Sequence, residues 1–453
     1  MTDAVALTID GPAGDEDLDP GEARAHFDPY IETLPRAALR SLQEGRLLGL
    51  LPIVYEKSAL IRRLWDAAGI TPSDIRSLDD YFAKAPFIDK DAIRQHRDRF
   101  NDPVGGLQIA DQADLQVIGF TSGTTGDPTP VPSGKTGAIE TELLREFWHM
   151  GARAGDYVTY MMFTFRGGQT RLAFFGDAGL TPIVMPHDPG DLPLMIEAIE
   201  TYRPTIFYML STPMIIGLEK YFEAHPDKDP RKVFASIKAG VFGGEPMSPR
   251  FAALAKSWGI EIFDYTTLGD IAGAMECRAH NGFHAWEDLA LVECLDDAGK
   301  PVPDGQIGEM VVTSLDDPWA PLVRYRTGDL CRLDRTLCRC GRTHLRYWTL
   351  GRKGDQTVVK GKPILPRDVQ RLVEQHPETK TCLFQIIRPQ AAMAVLRLRV
   401  GYETVRDSLA ALSARLAESI GGELGVPVEI DLVPAEELLK LGPPQKIPRV
   451  TVK

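Results

Sequence analysis

Positive charge is what this 453-residue chain has little of: 51 Lys and Arg stand against 63 Asp and Glu, for a formal net charge of −12. That balance argues against nonspecific binding to nucleic acid or to anionic membranes, so a small anionic ligand needs a local positive patch. Apolar runs long enough to cross a bilayer are absent, and no charged segment followed by an apolar core opens the chain. A cytoplasmic protein is therefore expected. Cysteine is scarce too. Cys277, Cys294, Cys331, Cys338, Cys340 and Cys382 are the full set, and without a secretory signal they argue against a disulfide framework. Internal repeats and low-complexity tracts are also missing.

What is present is enough apolar residue, 43% of the chain, to bury a large core, and a length that suggests two or more domains. Residues 1–25 carry Asp15-Glu16-Asp17 among several Gly and Pro, the composition of a mobile acidic leader. From Pro35 to Ala68, apolar residues recur at helical intervals through Leu39, Leu42, Leu47, Leu48, Leu51, Ile61, Leu64 and Trp65. From Leu115 onward, short apolar runs alternate with longer amphipathic segments, for example Tyr157–Phe163, Thr181–Met185 and Thr205–Leu210. This alternation predicts a largely parallel α/β body. Beyond Arg352, Gly354, Gly361, Pro363 and Pro366 cluster before an expected helix at 368–375, a strand at 393–400 and a helix at 404–420. The chain thus divides into a leader at 1–25, a large N-terminal multi-sheet α/β domain at 26–352 and a small mobile α/β domain at 353–453.

The most informative stretch is Phe120-Thr121-Ser122-Gly123-Thr124-Thr125-Gly126-Asp127-Pro128-Thr129, which follows the strand-like Leu115–Phe120. Glycines at 123 and 126 free backbone N–H groups to point at an anion, and the hydroxyls of Thr121, Ser122, Thr124 and Thr125 add uncharged donors. A flexible surface turn has the same composition. The run does not end in Gly-Lys-Ser/Thr, so the ordinary P-loop reading loses its main support.

The run resembles the Thr-Ser-Gly-Thr-Thr-Gly-x-Pro signature of the adenylate-forming superfamily, which includes acyl-CoA ligases, luciferases and peptide-synthetase adenylation domains. Downstream, Arg324-Tyr325-Arg326-Thr327-Gly328-Asp329-Leu330 resembles its ribose-binding segment, and Gly351-Arg352-Lys353-Gly354-Asp355 its interdomain hinge. The phenylacetate-CoA ligase branch is the nearest likeness. Glu32–Arg36, Ile75–Asp80, Ala85-Pro86-Phe87, Met275-Glu276-Cys277 and Ala285-Trp286-Glu287-Asp288 carry it, and the resemblance spans roughly residues 26 to 453. It implies ATP-dependent activation of a carboxylic acid to an acyl-adenylate, then thioester formation with CoA.

Acyl adenylation brings two anions together, so charge building on the phosphate must be neutralised. By resemblance, Lys446 in Gln445-Lys446-Ile447-Pro448-Arg449-Val450 is the mobile adenylation lysine, although Gln445 stands where glycine is usual. Asp329 would accept from the ribose hydroxyls with Arg352 beside it. Gly243, Gly244, Glu245 and Pro246 would lie against adenine, where a glycine pair lets a planar base approach the main chain, and Tyr265 belongs to the same nucleotide site. Departures accompany these matches. Tyr265 is followed by Thr266-Thr267-Leu268-Gly269-Asp270, so the magnesium-binding glutamate is missing at its usual offset, and Asp270 is its candidate replacement through water. The hinge keeps only Asp355 of two aspartates.

Cys338 and Cys340, with Cys277 and His284, can form a closed Cys₃His zinc site, with His280 and Cys331 as competing fourth ligands and buried free thiols as the plain alternative. Metal-bearing relatives in this branch use the same two segments. Tyr160, Phe163, Phe165 and Tyr208 fall in segments that resemble the acyl pocket wall, which suits an aryl or arylacetic acid. Aromatics at strand positions are equally good core. Arg166 could serve a carboxylate or a phosphate. A homodimer and a carrier-protein or amine acceptor are compatible with these features, as is a nucleotide-binding protein that has lost turnover.

Overall fold

The computed structural model describes residues 26–120, 127, 129–134, 138–161, 175–176, 178–185, 189–269, 271–390, 392–441 and 447–452. The expected leader lies outside them. The helical stretch from Pro35 to Ala68 forms as two helices, Arg36–Lys57 and Ala59–Ala67. Ser58 separates them. Its N–H still donates to the Val54 carbonyl, while its hydroxyl accepts from Ile61 N and caps the second helix. Leu47, Leu51 and Val54 on the first helix, and Leu60, Ile61 and Trp65 on the second, are buried in one core. Spacings of four and three on the first helix, and of four between Ile61 and Trp65 on the second, put these residues on one helical face.

The strands of the body, in chain order, are β1 (Leu115–Phe120), β2 (Pro130–Gly134), β3 (Tyr157–Met161), β4 (Thr181–Met185), β5 (Ile206–Leu210), β6 (Ala239–Gly243), β7 (Glu261–Leu268), β8 (Ala272–Glu276), β9 (Phe283–His284), β10 (Ala290–Leu295), β11 (Gly308–Ser314), β12 (Tyr325–Asp334) and β13 (Arg346–Arg352). β1 and β2 pair as an antiparallel hairpin, and Leu115–Phe120 is thus a strand leading into the Thr/Ser/Gly run. Among the described residues the other eleven form one sheet in the order β10-β11-β12-β13-β9-β8-β7-β6-β5-β3-β4.

Only half of that sheet is parallel. β4, β3, β5, β6 and β7 run parallel, with helices Leu192–Tyr202, Thr212–Ala224 and Pro249–Ser257 as crossovers. From β7 to β13 every pairing is antiparallel. The expectation of a largely parallel body is corrected here for a physical reason. The links from β7 through β9 are too short for a crossover, which needs a dozen or more residues, and only reversal fits.

After Arg352 the strands belong to other sheets. β14 (Thr357–Val359), β15 (Lys362–Ile364) and β17 (Ala392–Met393) form one, and β16 (Phe384–Ile387), β18 (Leu396–Tyr402), β19 (Val428–Pro434) and β20 (Val450–Thr451) form another. The expected strand at 393–400 is broken between β17 and β18, and the expected helices at 368–375 and 404–420 lie at Pro366–Glu374 and Leu409–Leu424. These elements have their own core around Val369, Leu372, Phe384, Leu398, Leu412 and Leu416. Leu383, Val433, Ala435, Leu438 and Ile447 instead join the core that contains Met214, Leu218 and Phe251 of the body.

Candidate functional site

The carboxyl ends of the parallel strands β5, β6 and β7 define the crevice where an open α/β sheet places ligands. β6 ends at Gly243, where a side chain would crowd its neighbours. A Cβ there would lie 2.7 Å from the Met209 sulfur and 3.3 Å from the Tyr265 ring, and Gly244 follows with φ +100°. The chain then turns through Glu245 and Pro246. Tyr265 pairs with Gly243 across the sheet. Room for its hydroxyl comes from Gly273, where a Cβ would lie 2.5 Å away, and Gly273 N donates to the buried Glu142 carboxylate of the helix Ala138–His149.

Elements beyond Arg352 close over this turn. Arg449 Nε and Nη2 both donate to Glu245 Oε2, at 3.1 and 2.7 Å, and Nη1 donates to the Cys382 carbonyl at 2.7 Å. Gln370 donates to the Pro246 carbonyl at 3.1 Å. Glu374 accepts from the Ser248 hydroxyl at 2.6 Å and from Arg250 N at 2.8 Å, at the start of the helix Pro249–Ser257. Lys380 pairs with Glu219 and Glu223 of the helix Thr212–Ala224.

Asp329 and Arg352 are register partners on β12 and β13, with Arg352 Nε 3.6 Å from Asp329 Oδ1. Gly328, at φ +76°, turns the strand just before Asp329, whose N–H donates to Thr327 Oγ1. One residue past Arg352, Lys353 reaches Asp297 at 2.6 Å and lies 3.6 Å from Glu309. Asp297 is held below the usual carboxylate range by its hydrogen bond from Lys353. The residues where the chain passes from β13 to β14 are thus tied to the antiparallel half of the sheet.

Tyr160 and Tyr208 are buried in one aromatic cluster with Phe147 and Phe175, their own rings stacked at a centroid separation of 6.0 Å. The structure places these two residues in the core. Thr121 to Gly126, Phe163, Phe165, Arg166, Asp270 and Lys446 lie outside the described residues.

Cys277, His284, Cys338 and Cys340 come together, with their ligand atoms all within 4.8 Å of one another. Cys277 and Cys338 sulfurs are 3.6 Å apart, and Cys340 Sγ is 3.4 Å from His284 Nε2. His284 Nδ1 lies 3.2 Å from the His344 carbonyl. A carbonyl only accepts, so the ring carries its proton on Nδ1 and leaves the Nε2 lone pair to face the thiols. Hydrogen bonds from Cys277 and Cys338 hold the Cys340 thiol well below its ordinary range, and hydrogen bonds with Cys338 and then Cys340 push the Cys277 thiol up. Four soft or borderline donors at these separations match a tetrahedral zinc ion, with Zn–S near ~2.3 Å and Zn–N near ~2.0 Å.

Neither competing ligand joins this cluster. His280 lies between Glu276, at 3.1 Å, and Glu261, at 3.3 Å. Cys331 packs against Cys294, sulfur to sulfur at 3.7 Å. All six cysteines are free thiols.

Several supporting residues carry no local sequence signal. Arg342 makes a buried ion pair with Glu32 at 2.6 Å, and His26 approaches the Cys340 carbonyl at 3.1 Å. Thr343 donates to the Leu34 carbonyl at 2.7 Å, and His344 Nε2 lies 3.0 Å from the Ile31 carbonyl. Arg145 meets Asp288 through two hydrogen bonds of 2.8 and 2.9 Å in the interior. The Ala285–Asp288 motif pointed to this position, but its partner, on another element, could not be read.

Residues 84–315 match the family of AMP-binding enzymes. Over 437 residues the chain is 31% identical to a phenylacetate-coenzyme A ligase of Thermus thermophilus, covering 90% of this chain and 95% of the relative. Among solved structures, 2-hydroxyisobutyryl-CoA ligase in the postadenylation state with 2-HIB-AMP superposes with a TM-score of 0.82 at 25% identity, covering 96% of this chain and 94% of that one. The same ligase with 2-HIB-AMP and CoA in its thioesterification state gives 0.66 at 25% identity, over 96% and 93%. With residues 84–315 matching that family and this likeness along nearly the whole chain, the protein belongs to the adenylate-forming AMP-binding enzymes, in the phenylacetate-CoA ligase-like branch.

Proposed function

We propose that this protein is an AMP-forming acid-CoA ligase acting on an aryl or arylacetic acid. The acid carboxylate attacks the α-phosphate of ATP, pyrophosphate leaves, and CoA sulfur then displaces AMP from the acyl-adenylate to give a thioester. The observation that carries this reading is the docking of Arg449, three residues from Lys446, on Glu245 of the adenine-side turn. Lys446 offsets charge on the phosphate, and residues 121–126 donate to the polyphosphate tail. Asp329 and Arg352 hold the ribose, and Asp270 is the candidate magnesium contact. Residues 353–453 act as a mobile lid on a body of residues 26–352. The better superposition on the postadenylation form of a relative than on its thioesterification form supports an adenylation-side position for this lid.

Cys277, His284, Cys338 and Cys340 would hold a zinc ion with no open position, a structural role outside the reaction. The aryl preference rests on likeness to a phenylacetate-coenzyme A ligase. Among the described residues no helix is long and apolar enough to cross a membrane, compatible with a cytoplasmic enzyme.

A pyrophosphate-release screen over aryl and aliphatic acids, with and without CoA, tests this. Acid-dependent release with a CoA thioester as product is the expected result. Release captured only by an amine or a carrier protein would reassign the acceptor, and ATP binding with no release under any acid would overturn the ligase.

A further inference from the structure

Lid closure rests on a chain of polar contacts, and one of them joins the lysine-bearing segment directly to the body. The Arg449 guanidinium lies over the Phe384 ring at 4.7 Å and donates to the Cys382 carbonyl. It is fixed by the lid before it meets anything else, so little side-chain freedom is lost when its remaining donors reach Glu245. β20, which begins at Val450, pairs with Ile386 of β16, and Ile447 is buried on the other side of Arg449. The chain immediately after Lys446 is therefore held to lid and body at once.

The Glu245 end is equally constrained. Its side chain is 6% exposed and that of Arg449 12%. Oε2 takes both guanidinium contacts, while Oε1 is buried with no hydrogen-bond partner among the described residues. A pair enclosed in a fixed core leaves an uncompensated charge when broken. Here the partners sit on opposite sides of a lid contact, so separating the lid returns both to water. The pair can be opened at modest cost yet is specific in geometry, which suits a contact made in one lid position and broken in the other. Glu374, on a separate lid element, makes the same kind of contact with Ser248 and Arg250 N.

We propose that Arg449 and Glu245 form a latch that selects the adenylation position of the lid, with Arg449 a positioning residue for the first half-reaction and Glu374 a second, weaker catch. The proposal rests on the ligase reading above. Turning the lid for thioester formation breaks both contacts, so their loss burdens only the half-reaction that needs them.

The test compares full-length wild type, Arg449→Met and Glu374→Gln in two assays. One is acid-dependent exchange of pyrophosphate into ATP, and the other is CoA thioester formation from synthetic phenylacetyl-adenylate. Arg449→Met is expected to lower exchange by about 30-fold, and Glu374→Gln by about fivefold, with thioester formation within about threefold of wild type or faster. A parallel fall in both assays, or unchanged exchange, overturns the latch. Small-angle scattering of the ATP-bound proteins gives a readout independent of turnover. Arg449→Met is expected to raise the radius of gyration, and an unchanged radius counts against the latch. If the wild type itself exchanges no pyrophosphate, the ligase reading falls, and an expanded Arg449→Met then supports only a lid-to-body catch with no half-reaction assigned to it.

Discussion

Asp329 faces Arg352 across neighbouring antiparallel strands, with 3.6 Å between Oδ1 and Nε. Both side chains are about one-third exposed, at 28% and 32%, so the pair is wet and cheap to rearrange around a ribose. Asp329→Asn keeps the shape and removes the acceptor-only carboxylate. It is expected to raise KM for ATP by about tenfold or more with a smaller effect on kcat. Steady-state pyrophosphate release at varied ATP checks this, and an unchanged KM would remove Asp329 from the ribose site.

Lys446→Ala should abolish most adenylation while leaving the fold intact, because the lysine is assigned to transition-state charge alone. Circular dichroism and thermal melting should match wild type as exchange activity disappears. Wild-type exchange in the variant would reassign the lysine.

The thiol cluster gives a metal prediction. Zinc near one equivalent per chain is expected by elemental analysis, and Cys340→Ser should lose it. Because Arg342, Thr343 and His344 bind the segment around Glu32, chelation is expected to lower Tm and expose residues near 26–36 to protease. Purified protein free of stoichiometric zinc would contradict this.

His280 supplies a pH dependence with a definite sign. Burial alone would push its imidazole down, but hydrogen bonds to Glu261 and Glu276 outweigh this and hold it up to about 9. Folded protein therefore keeps a proton that the unfolded chain releases near its ordinary value of about 6.5. The contribution to stability is complete below about pH 6.5 and declines as pH rises to about 9. Thermal melts across that window should show wild type losing more stability than His280→Gln. Identical slopes would mean that the carboxylate contacts do not raise the imidazole.

The Arg145–Asp288 pair is buried at both ends, with side chains 3% and 2% exposed. Asp288→Ala leaves a guanidinium without its partner and is expected to cost about 3–5 kcal/mol in urea unfolding. A loss under about 1 kcal/mol would show that water replaces the carboxylate.

The parts of this fold that were legible in sequence are those written in short windows. The glycine pair at the end of β6 announced a turn, which Gly244 makes at φ +100°, and Leu115–Phe120 read as a strand from its apolar run. Signals for the helix Leu409–Leu424 were also there, since Ser408 caps it by accepting from Ala411 N and Gly425 stops it at φ +63°. The expected range of 404–420 missed both. Antiparallel pairing was not legible, because apolar alternation says nothing about a strand's neighbour or direction. Nor was the Glu245–Arg449 contact, whose partners are 204 residues apart. Cys277, His284, Cys338 and Cys340 could be proposed from residue type and likeness, but only packing separated His284 from His280 and Cys331 from the cluster.

The stitching of residues 26–36 onto the Cys338–His344 loop has a consequence for biosynthesis. Glu32 and Arg342 are 310 positions apart, and β13 must insert beside β9 within the large sheet. A growing polypeptide cannot complete either contact until that late strand has left the ribosome. The first helices must therefore wait, with their apolar faces only partly covered, through most of translation. Nascent chains stalled before that point are where chaperone engagement would be greatest.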